Sequence, residues 1–425
     1  MRYKIMNISN MKIFKILLLG FSSGLPYALT TSTLNIWLTE VGIEIGVIGL
    51  FAAIALPYSF KFIWAPFIDN FDLPYLSRRF GRRLSWMLAS QVSLIISIIF
   101  LVNTDPTENI SLTAFFAVLV VICSATQDIS IDGYRIKALQ EEEQGLGAAL
   151  INYGYRVGML FTSAGALLLS QYYDWSVVYF IAACGVAIGI ATVLSIQDLT
   201  EEQKNIFQKN IDKKKFNLNL FIKEMIILPW LEFTEKRGWI YIIFFTIFFR
   251  LGDSMADVMN NTFYINVGFS KSEIATIAKT FGLIAILIGS FIGGTLVYKL
   301  GMIKSLWICG ILQMLSNLSF ATLATIGYDT DALTIAVAIE NLSYGAGATS
   351  FVAYLSSLCN SSSFTATHYA LLSALASVGR NLLSTPAGYL VEYFGWVNFY
   401  IITTVVAIPG LIFLYLICRK YNYSK

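Results

Sequence analysis

The sequence predicts an all-α integral membrane protein with twelve transmembrane helices, arranged as two related six-helix bundles with both termini in the cytoplasm. An apolar composition, apolar windows of membrane-spanning length and a pattern repeated in the two halves support this prediction. Hydrophobic residues make up 56% of the 425 residues and charged residues only 13%, and the mean hydropathy is +0.67. These values lie outside the usual range of soluble globular domains.

Apolar windows long enough to span a bilayer occur along the whole chain. A helix needs about 20 mostly apolar residues to cross the hydrocarbon core. The predicted spans are residues 13–37, 46–68, 84–102, 112–137, 145–170, 175–197, 238–262, 272–298, 302–325, 332–358, 365–390 and 395–418. Basic residues near the first window are also typical of a signal peptide. Since this window is too long and no small-residue cleavage pattern closes it, we interpret it as a helix.

Lysine and arginine are distributed unequally between the two sides of the predicted membrane. With a cytoplasmic N-terminus, 23 of the 29 basic residues lie in inside segments or at the inside ends of predicted spans, five lie deeper within helices, and Lys271 lies outside. Cytoplasmic segments of membrane proteins are enriched in lysine and arginine. Both termini are therefore predicted to be cytoplasmic. The net charge of +3 gives no indication of nucleic-acid binding.

The two halves of the chain repeat a pattern built around an arginine inside an apolar segment. In each half the arginine is followed by an Ala-Gly pair and then by a tryptophan, so that Arg156 precedes Trp175 and Arg380 precedes Trp396. Two related halves that both start inside imply a pseudo-twofold axis along the membrane normal, the arrangement of major facilitator transporters. The predicted divisions are an N-terminal bundle (1–197), a cytoplasmic linker (198–237) and a C-terminal bundle (238–425).

Charged residues inside the predicted helices are the first candidates for function, because a charge in hydrocarbon costs on the order of 3 kcal/mol or more. The candidates are Lys61, Arg156, Arg250, Lys279, Arg380, Asp128, Asp132, Asp253, Asp257 and Glu340. At about 1.5 Å per residue, Asp128 and Arg156 lie about 14 and 17 Å from the cytoplasmic surface. Glu340 and Arg380 share a depth nearer the outer surface. We predict that these two pairs line a substrate site between the halves, with structural ion pairs as the alternative.

Three further candidates share one predicted helix. Arg250, Asp253 and Asp257 follow one another at spacings of three and four, which places them on one helix face. An internal ion pair is the alternative to a substrate contact. Lys61 has a second interpretation, since a long side chain can reach the membrane interface.

Small residues predict close helix packing in the first helix. Gly20 and Gly24 have small-xxx-small spacing, and Pro26 follows them, so this helix is predicted to approach a neighbour closely and to bend. Such a hinge suits helices that rock between inward-open and outward-open states. Static packing is the alternative.

The loop after the second helix contains a candidate cytoplasmic latch. Asp69 ends the helix, and Gly81, Arg82 and Arg83 follow after a spacer. Major facilitator proteins carry a similar motif, with a glycine before the aspartate, that joins the second and third helices. The alternative is ordinary positive charge on the cytoplasmic side.

Residues typical of enzymes or metal sites are sparse. The five cysteines show no ligand spacing and are interpreted as small apolar residues. The single histidine, His368, stands at the predicted start of the eleventh helix without a nucleophile or metal partner, which argues against a membrane enzyme. No metal site and no cofactor are predicted, and the linker is too short to be the output domain of a sensor.

Several runs together resemble the AmpG muropeptide permeases of bacterial inner membranes over nearly the whole chain. These runs are GFSSGLPYALT (20–30), FKFIWAP (60–66), CSATQD (123–128), GYRVGML (154–160), ENL (340–342) and ALLSAL (370–375). The resemblance implies import of N-acetylglucosaminyl-anhydro-N-acetylmuramyl peptides for peptidoglycan recycling, driven by a proton gradient. It implies a protein that acts as a monomer in the lipid bilayer.

The candidate residues fit such a substrate. Arginine binds carboxylates with two parallel hydrogen bonds, and Tyr153, Tyr155 and Trp37 offer aromatic faces to sugar rings. Gln127 is predicted to offer its amide to the glycan. Protonation of Asp128 is predicted to weaken its hold on Arg156 and free that arginine for substrate. A divergent paralogue that imports another anionic metabolite, such as an acyl-coenzyme A or a peptide, is the alternative.

Overall fold

Helices form all the regular secondary structure in the part of the chain that the structure describes. The computed structural model describes residues 2–44, 47–48, 51–196, 227–236, 238–360, 362–381, 383–384 and 386–421, and no strand occurs among them. The predicted all-α class is confirmed. Within these residues, seven helices are long and apolar enough to cross a membrane. The count of twelve spans and the cytoplasmic termini stay predictions.

The N-terminal half of the chain contains long helices interrupted by short irregular turns. Its α-helices are α1 (Arg2–Ala28), α2 (Leu34–Glu40), α3 (Leu56–Phe60), α4 (Ala65–Asn70), α5 (Leu76–Phe80), α6 (Arg82–Val102), α7 (Ile110–Ala138), α8 (Gln144–Leu160), α9 (Ala166–Ser170) and α10 (Trp175–Ser195). π-Helical turns cover Leu29–Thr33 and Phe161–Gly165, and 3-10 turns cover Phe51–Ala55, Lys61–Ile63 and Glu141–Glu143.

A short helix at the end of the predicted linker, α11 (Leu228–Thr234), precedes the C-terminal half. The α-helices of that half are α12 (Trp239–Phe248), α13 (Leu251–Val267), α14 (Lys271–Glu273), α15 (Gly282–Leu300), α16 (Met302–Ile326), α17 (Thr330–Asn360), α18 (Thr365–Asn381), α19 (Ala387–Val406) and α20 (Ile408–Tyr421). One π-helical segment, Ile274–Phe281, joins α14 to α15.

Most predicted windows agree with these bounds to within a few residues, but three do not. The window 46–68 is broken into short helices, because Pro57 and Pro66 lack the amide hydrogen that an uninterrupted helix needs. The window 238–262 is interrupted at Phe249 and Arg250, between α12 and α13. The window 365–390 is interrupted after Asn381, and its last residues form the start of α19, which is kinked at Gly395 (φ 73°) just before Trp396. Pro386 is the N-cap residue of α19.

The chain divides into two compact units. The first comprises residues 1–139, 150–231 and 359–371, and the second comprises residues 140–149, 232–358 and 372–425. Short segments at the start of α8 and of α18 therefore belong to the unit of the other half of the sequence. The predicted division at residues 198–237 stays a prediction, since residues 197–226 lie outside the described part.

A tryptophan contact appears in both units in corresponding places. In the first unit, Trp175 Nε1 donates to Glu40 Oε2 at 2.8 Å. In the second, Trp396 Nε1 donates to Asn266 Oδ1 at 2.9 Å. In both units the acceptor lies two residues before a glycine with positive φ. The repeat seen in the sequence is thus also a repeat of three-dimensional contacts.

Two pairs of glycines bring α1 and α8 into backbone contact. Gly20 and Gly24 on α1 face Gly154 and Gly158 on α8. A Cβ atom added at Gly24 would lie 2.0 Å from a backbone oxygen of α8, and one added at Gly154 would lie 2.0 Å from a backbone oxygen of α1. Side chains at these positions would separate the helices. Pro26 follows the contact, so the predicted close approach and the predicted bend lie within the same stretch of α1.

Paired π-helical turns continue the same helix contact. The turns Leu29–Thr33 and Phe161–Gly165 are joined by threonines, because Thr162 Oγ1 donates to Leu25 O at 2.7 Å and Thr33 Oγ1 donates to Thr162 O at 2.5 Å. π-Helical turns often mark functional positions in helices. These two helices therefore meet where both depart from regular α-helical geometry.

We expect Gly24→Ala to destabilise the protein and Gly388→Ala to leave its stability unchanged or slightly higher. The Gly24 methyl would overlap backbone atoms, at a cost of about 1–3 kcal/mol. An added Cβ at Gly388 meets nothing within 4 Å. Thermal unfolding in detergent measures both variants. Equal unfolding temperatures would show that the helices do not depend on this contact.

Candidate functional site

In the first unit, Asp128 is bonded to a serine of α1. Asp128 lies half-buried on α7, and Ser23 Oγ donates to its Oδ1 at 2.5 Å. Lys61 is the cationic side chain within electrostatic range of this carboxylate. No ion pair within 4.0 Å joins Asp128 to Arg156. The predicted Asp128–Arg156 pair is therefore not formed, because equal depth does not fix the direction in which each side chain leaves its helix.

Three half-buried tyrosines form a group beside this carboxylate. The rings of Tyr27 and Tyr58 lie 5.4 Å apart, and those of Tyr27 and Tyr155 lie 6.1 Å apart. Tyr58 Oη donates to Ser124 Oγ at 2.8 Å, which fixes that ring beside α7. Asp128 acts electrostatically on both Tyr58 and Tyr155. Aromatic faces and a carboxylate thus share one region, which the sequence indicated only at Tyr155.

Gln127 points into the helix core of the first unit. Its side chain is fully buried, and Ser22 Oγ lies 3.4 Å from its Oε1. This orientation follows from the helical rotation of about 100° between neighbours, since Asp128 occupies the adjacent, half-buried face. The predicted contact between the Gln127 amide and a glycan therefore lacks support in the geometry. Arg156 is half-buried, one residue after Tyr155.

In the second unit, Arg250 lies against an aromatic ring. Its guanidinium carbon is 4.5 Å from the centre of the Tyr344 ring, a favourable cation–π arrangement. Arg250 precedes α13 and has φ −115° and ψ 12°. The expectation that Arg250, Asp253 and Asp257 share one face of a continuous helix was therefore wrong, since the helix begins only at Leu251.

The acidic residues of the second unit have different surroundings. Asp253 is buried and accepts hydrogen bonds from Gln313 Nε2 at 2.5 Å and Asn317 Nδ2 at 3.4 Å. Asp257 is exposed. Glu340 is 8% exposed and lies within electrostatic range of both aspartates and of Arg250. Arg250 is thus a basic neighbour of Glu340, a relation that depth counting did not indicate.

Two other predicted site residues cannot be placed in this group. Lys279 is exposed within the π-helical segment Ile274–Phe281. The side chain of Arg380 lies outside the described part of the structure, so its predicted pairing with Glu340 stays a prediction.

The candidate latch residue Asp69 is buried and bonded to the start of α18. Its Oδ2 accepts from Thr367 N at 2.7 Å and from Thr367 Oγ1 at 2.8 Å, and its Oδ1 accepts from Ala366 N at 3.3 Å. A carboxylate there is favourable, because the first backbone N–H groups of a helix have no partner within it. Sequence analysis missed Ala366 and Thr367, which carry no recognisable signal.

The basic residues of the latch have separate roles. Arg83 Nη2 lies 3.6 Å from Asp69 Oδ1. Arg82 Nε is 2.8 Å from Asp72 Oδ1, and Arg82 also donates to the backbone oxygen of Asp69. Gly81 has φ 76°, a conformation that favours glycine, and it forms the N-cap of α6. The glycine and both arginines therefore hold the end of α4 against α6.

Arg135, near the end of α7, is a fully buried basic residue that sequence analysis did not single out. Its guanidinium lies 3.4 Å from Asp132 and 5.4 Å from the ring centre of Tyr369. The helix continues to Ala138, three residues beyond Arg135. Asp132, one of the charged candidates, thus pairs with a buried arginine.

Comparison with known proteins agrees with the predicted membrane-transporter fold. The sequence profile of the Major Facilitator Superfamily matches residues 16–365. A transporter named AmpG 4 from Rickettsia felis is 37% identical over 415 residues, covering 97% of each chain. The anhydromuropeptide permease of Escherichia coli K12 is 37% identical over 410 residues, covering 95% of this chain and 79% of that one.

A solved structure has the same fold. The crystal structure of the major facilitator transporter FucP in the outward conformation aligns with a TM-score of 0.67 at 12% identity. The alignment covers 95% of this chain and 98% of FucP. At this identity the likeness concerns the fold.

The helical fold and the profile match define a secondary transporter, a multi-pass membrane protein rather than an enzyme. The chain belongs to the Major Facilitator Superfamily and, within it, to the AmpG family of bacterial inner-membrane permeases.

We expect Asp69→Asn to open the region around α18. The test uses a variant that keeps Cys359, which is fully buried, while the other four cysteines are replaced by alanine. Loss of a charge-assisted bond of about 1.5–3 kcal/mol should make maleimide labelling of Cys359 roughly tenfold faster or more. Asp72→Asn is the control, since Asp72 pairs with Arg82 instead. Equal labelling rates in both variants would contradict a specific role for Asp69.

Proposed function

We propose that this protein imports anhydromuropeptides across the bacterial inner membrane in symport with protons. The observation that carries the proposal is 37% identity over 410 residues to a permease named for that substrate. The imported compounds would serve peptidoglycan recycling. We further propose that the transporter acts as a monomer in the lipid bilayer and requires no cofactor.

The polar region of the first unit suits a glycopeptide. Muropeptides consist of a disaccharide and a peptide with carboxylate groups. Tyr27, Tyr58 and Tyr155 offer aromatic faces for the sugar rings, while Lys61 and Arg156 offer positive charge for the carboxylates. Aromatic and basic groups lie side by side in this region, as such a substrate requires.

Asp128 is the group that we propose to carry the proton. One of its oxygens accepts from Ser23, and the charge of Lys61 acts on the carboxylate. When Asp128 takes up a proton, its attraction for Lys61 ends, so that Lys61 becomes available to a substrate carboxylate. Lys61 replaces Arg156 in the mechanism that the sequence alone had predicted, because Arg156 does not pair with Asp128.

Asp69 supports the proposed cytoplasmic latch. Its carboxylate joins α4 to the first turn of α18, and Arg83 adds a charge contact. We propose that these bonds must break once in every transport cycle to release substrate to the cytoplasm. Both partners are buried, so the bonds exchange with water only when the helix ends separate.

A second candidate is import of a different anionic metabolite by a divergent paralogue. The chain resembles proteins named AmpG 1 and AmpG 3, both from Rickettsia prowazekii, at 32% identity. A genome with several such proteins has room for several substrates. The tyrosines favour a compound with sugar rings, whereas Lys61 and Arg156 suit any anionic compound.

Counterflow distinguishes the two candidates. Proteoliposomes loaded with GlcNAc-anhydroMurNAc-peptide should exchange it for labelled GlcNAc-anhydroMurNAc-peptide. The unlabelled compound should compete, and a free peptide or an acyl-coenzyme A should not. Competition by acyl-coenzyme A alone would establish the second candidate and contradict the first.

We expect Asp128→Asn to abolish uptake driven by a pH gradient while leaving counterflow within about threefold of the unmodified protein. The amide cannot exchange a proton, yet it still accepts from Ser23. Asp174→Asn is the control, since Asp174 is exposed at the start of α10. Normal proton-driven uptake by Asp128→Asn would rule out Asp128 as the proton carrier.

A further inference from the structure

The only histidine of the chain lies buried beside the latch. His368, in the first turns of α18, is 1% exposed. Its Nε2 lies 2.8 Å from the backbone oxygen of Pro229 in α11, and its Nδ1 lies 2.8 Å from Ser362 Oγ. The imidazole thus connects the end of the chain segment that joins the two halves with the start of α18.

The hydrogen bonds determine which nitrogen carries the proton. A carbonyl oxygen only accepts, so His368 Nε2 is protonated and donates to Pro229 O. In the neutral ring Nδ1 then accepts from the Ser362 hydroxyl, whose oxygen in turn accepts from Phe364 N at 2.9 Å. These bonds form one series that runs from the backbone amide of Phe364, just before α18, to the backbone carbonyl of Pro229 in α11.

The start of α18 also carries the groups that donate hydrogen bonds to Asp69, here called the latch donors. Thr367, whose amide and hydroxyl bind Asp69, directly precedes His368. Thr365 Oγ1 donates to Ser362 O at 2.9 Å and closes the turn before the helix. The position of the latch donors therefore depends on the turn that His368 ties to α11.

Other contacts hold the neighbouring elements in place. Lys236, two residues after α11, donates to the backbone oxygen of Leu358, and Lys137 at the end of α7 donates to that of Asn360. Both oxygens lie at the C-terminal end of α17, where positive charge is favourable. Phe233 on α11 is fully buried. The segment from α11 to Lys236 is therefore anchored by packing, by charge and by His368.

We propose that His368 is a positioning residue for transport and that α11 is a part of the latch. His368 holds α11 against the first turn of α18, and this fixes the amides of Ala366 and Thr367 in the orientation that Asp69 binds. The proposal rests on the latch role proposed for Asp69. Because α11 is bonded to the helix that Asp69 binds, α11 takes part in the gating of transport.

A pair of substitutions separates the two bonds of the imidazole. In His368→Gln the amide nitrogen reaches the position of Nε2 and keeps the bond to Pro229. In His368→Asn the amide oxygen reaches the position of Nδ1 and keeps the bond to Ser362. Both substitutions replace the imidazole ring with an amide. A difference between the two variants therefore reports on the bond to α11.

Hydrogen–deuterium exchange of residues 228–236 and uptake kinetics provide the readouts on the full-length protein. We expect His368→Asn to raise the exchange rate and to lower Vmax by about fivefold, with KM unchanged since His368 does not contact substrate. His368→Gln should remain within about twofold of the unmodified protein. Phe233→Ala removes a fully buried side chain of α11 and should reproduce the His368→Asn result, which keeps the test available if His368→Asn is not recovered folded.

Equal exchange rates in His368→Gln and His368→Asn would overturn the proposal, as would faster exchange in His368→Asn with normal Vmax. The exchange measurement needs no substrate. If the unmodified protein fails to transport anhydromuropeptides, the proposed function fails, while the exchange rates still report whether His368 holds α11.

Discussion

The buried carboxylate of Asp69 is the interaction on which the placement of α4 against α18 in the first unit depends. A buried charge requires partners, and here the partners are backbone amides that the first turn of a helix leaves without internal acceptors. One carboxylate thereby fixes the end of α4 and the start of α18. Arg83 contacts this carboxylate directly. His368 lies on α18, the helix that binds the carboxylate, and bonds that helix to Pro229.

The two units keep a shared framework but differ in their polar interiors. Trp175 and Trp396 make corresponding bonds at the ends of corresponding helices. In contrast, Asp128 is bonded to a serine, while Asp253 is held by two amide side chains. The packing contacts at helix ends tolerate few substitutions. Buried polar residues can differ between the units, provided that each polar group has a hydrogen-bond partner. The two units therefore surround their buried acidic residues with different polar partners.

The parts of the site that could be predicted were those with a local pattern. The spacing of Gly20 and Gly24 indicated a close helix contact, and the structure shows its partner, Gly154 and Gly158. The pairing of Asp128 could not be predicted, because depth along a helix leaves its rotation undetermined. A rotation of about 100° per residue separates Gln127 in the core from Asp128 at its edge.

The sequence by itself determined the helical membrane class, the duplication and the family, because hydrophobic runs, repeated residues and long motifs are properties of the chain alone. Only the tertiary structure decided the partners of the buried polar groups. The helices are interrupted near Pro57 and before Leu251. The residues that follow therefore face directions that the hydrophobic periodicity of the sequence does not predict. The interpretation of His368 also changed, because its partner comes from a distant part of the chain. In the sequence it was a lone histidine at the start of a helix, and its partner Pro229 lies 139 residues away along the chain.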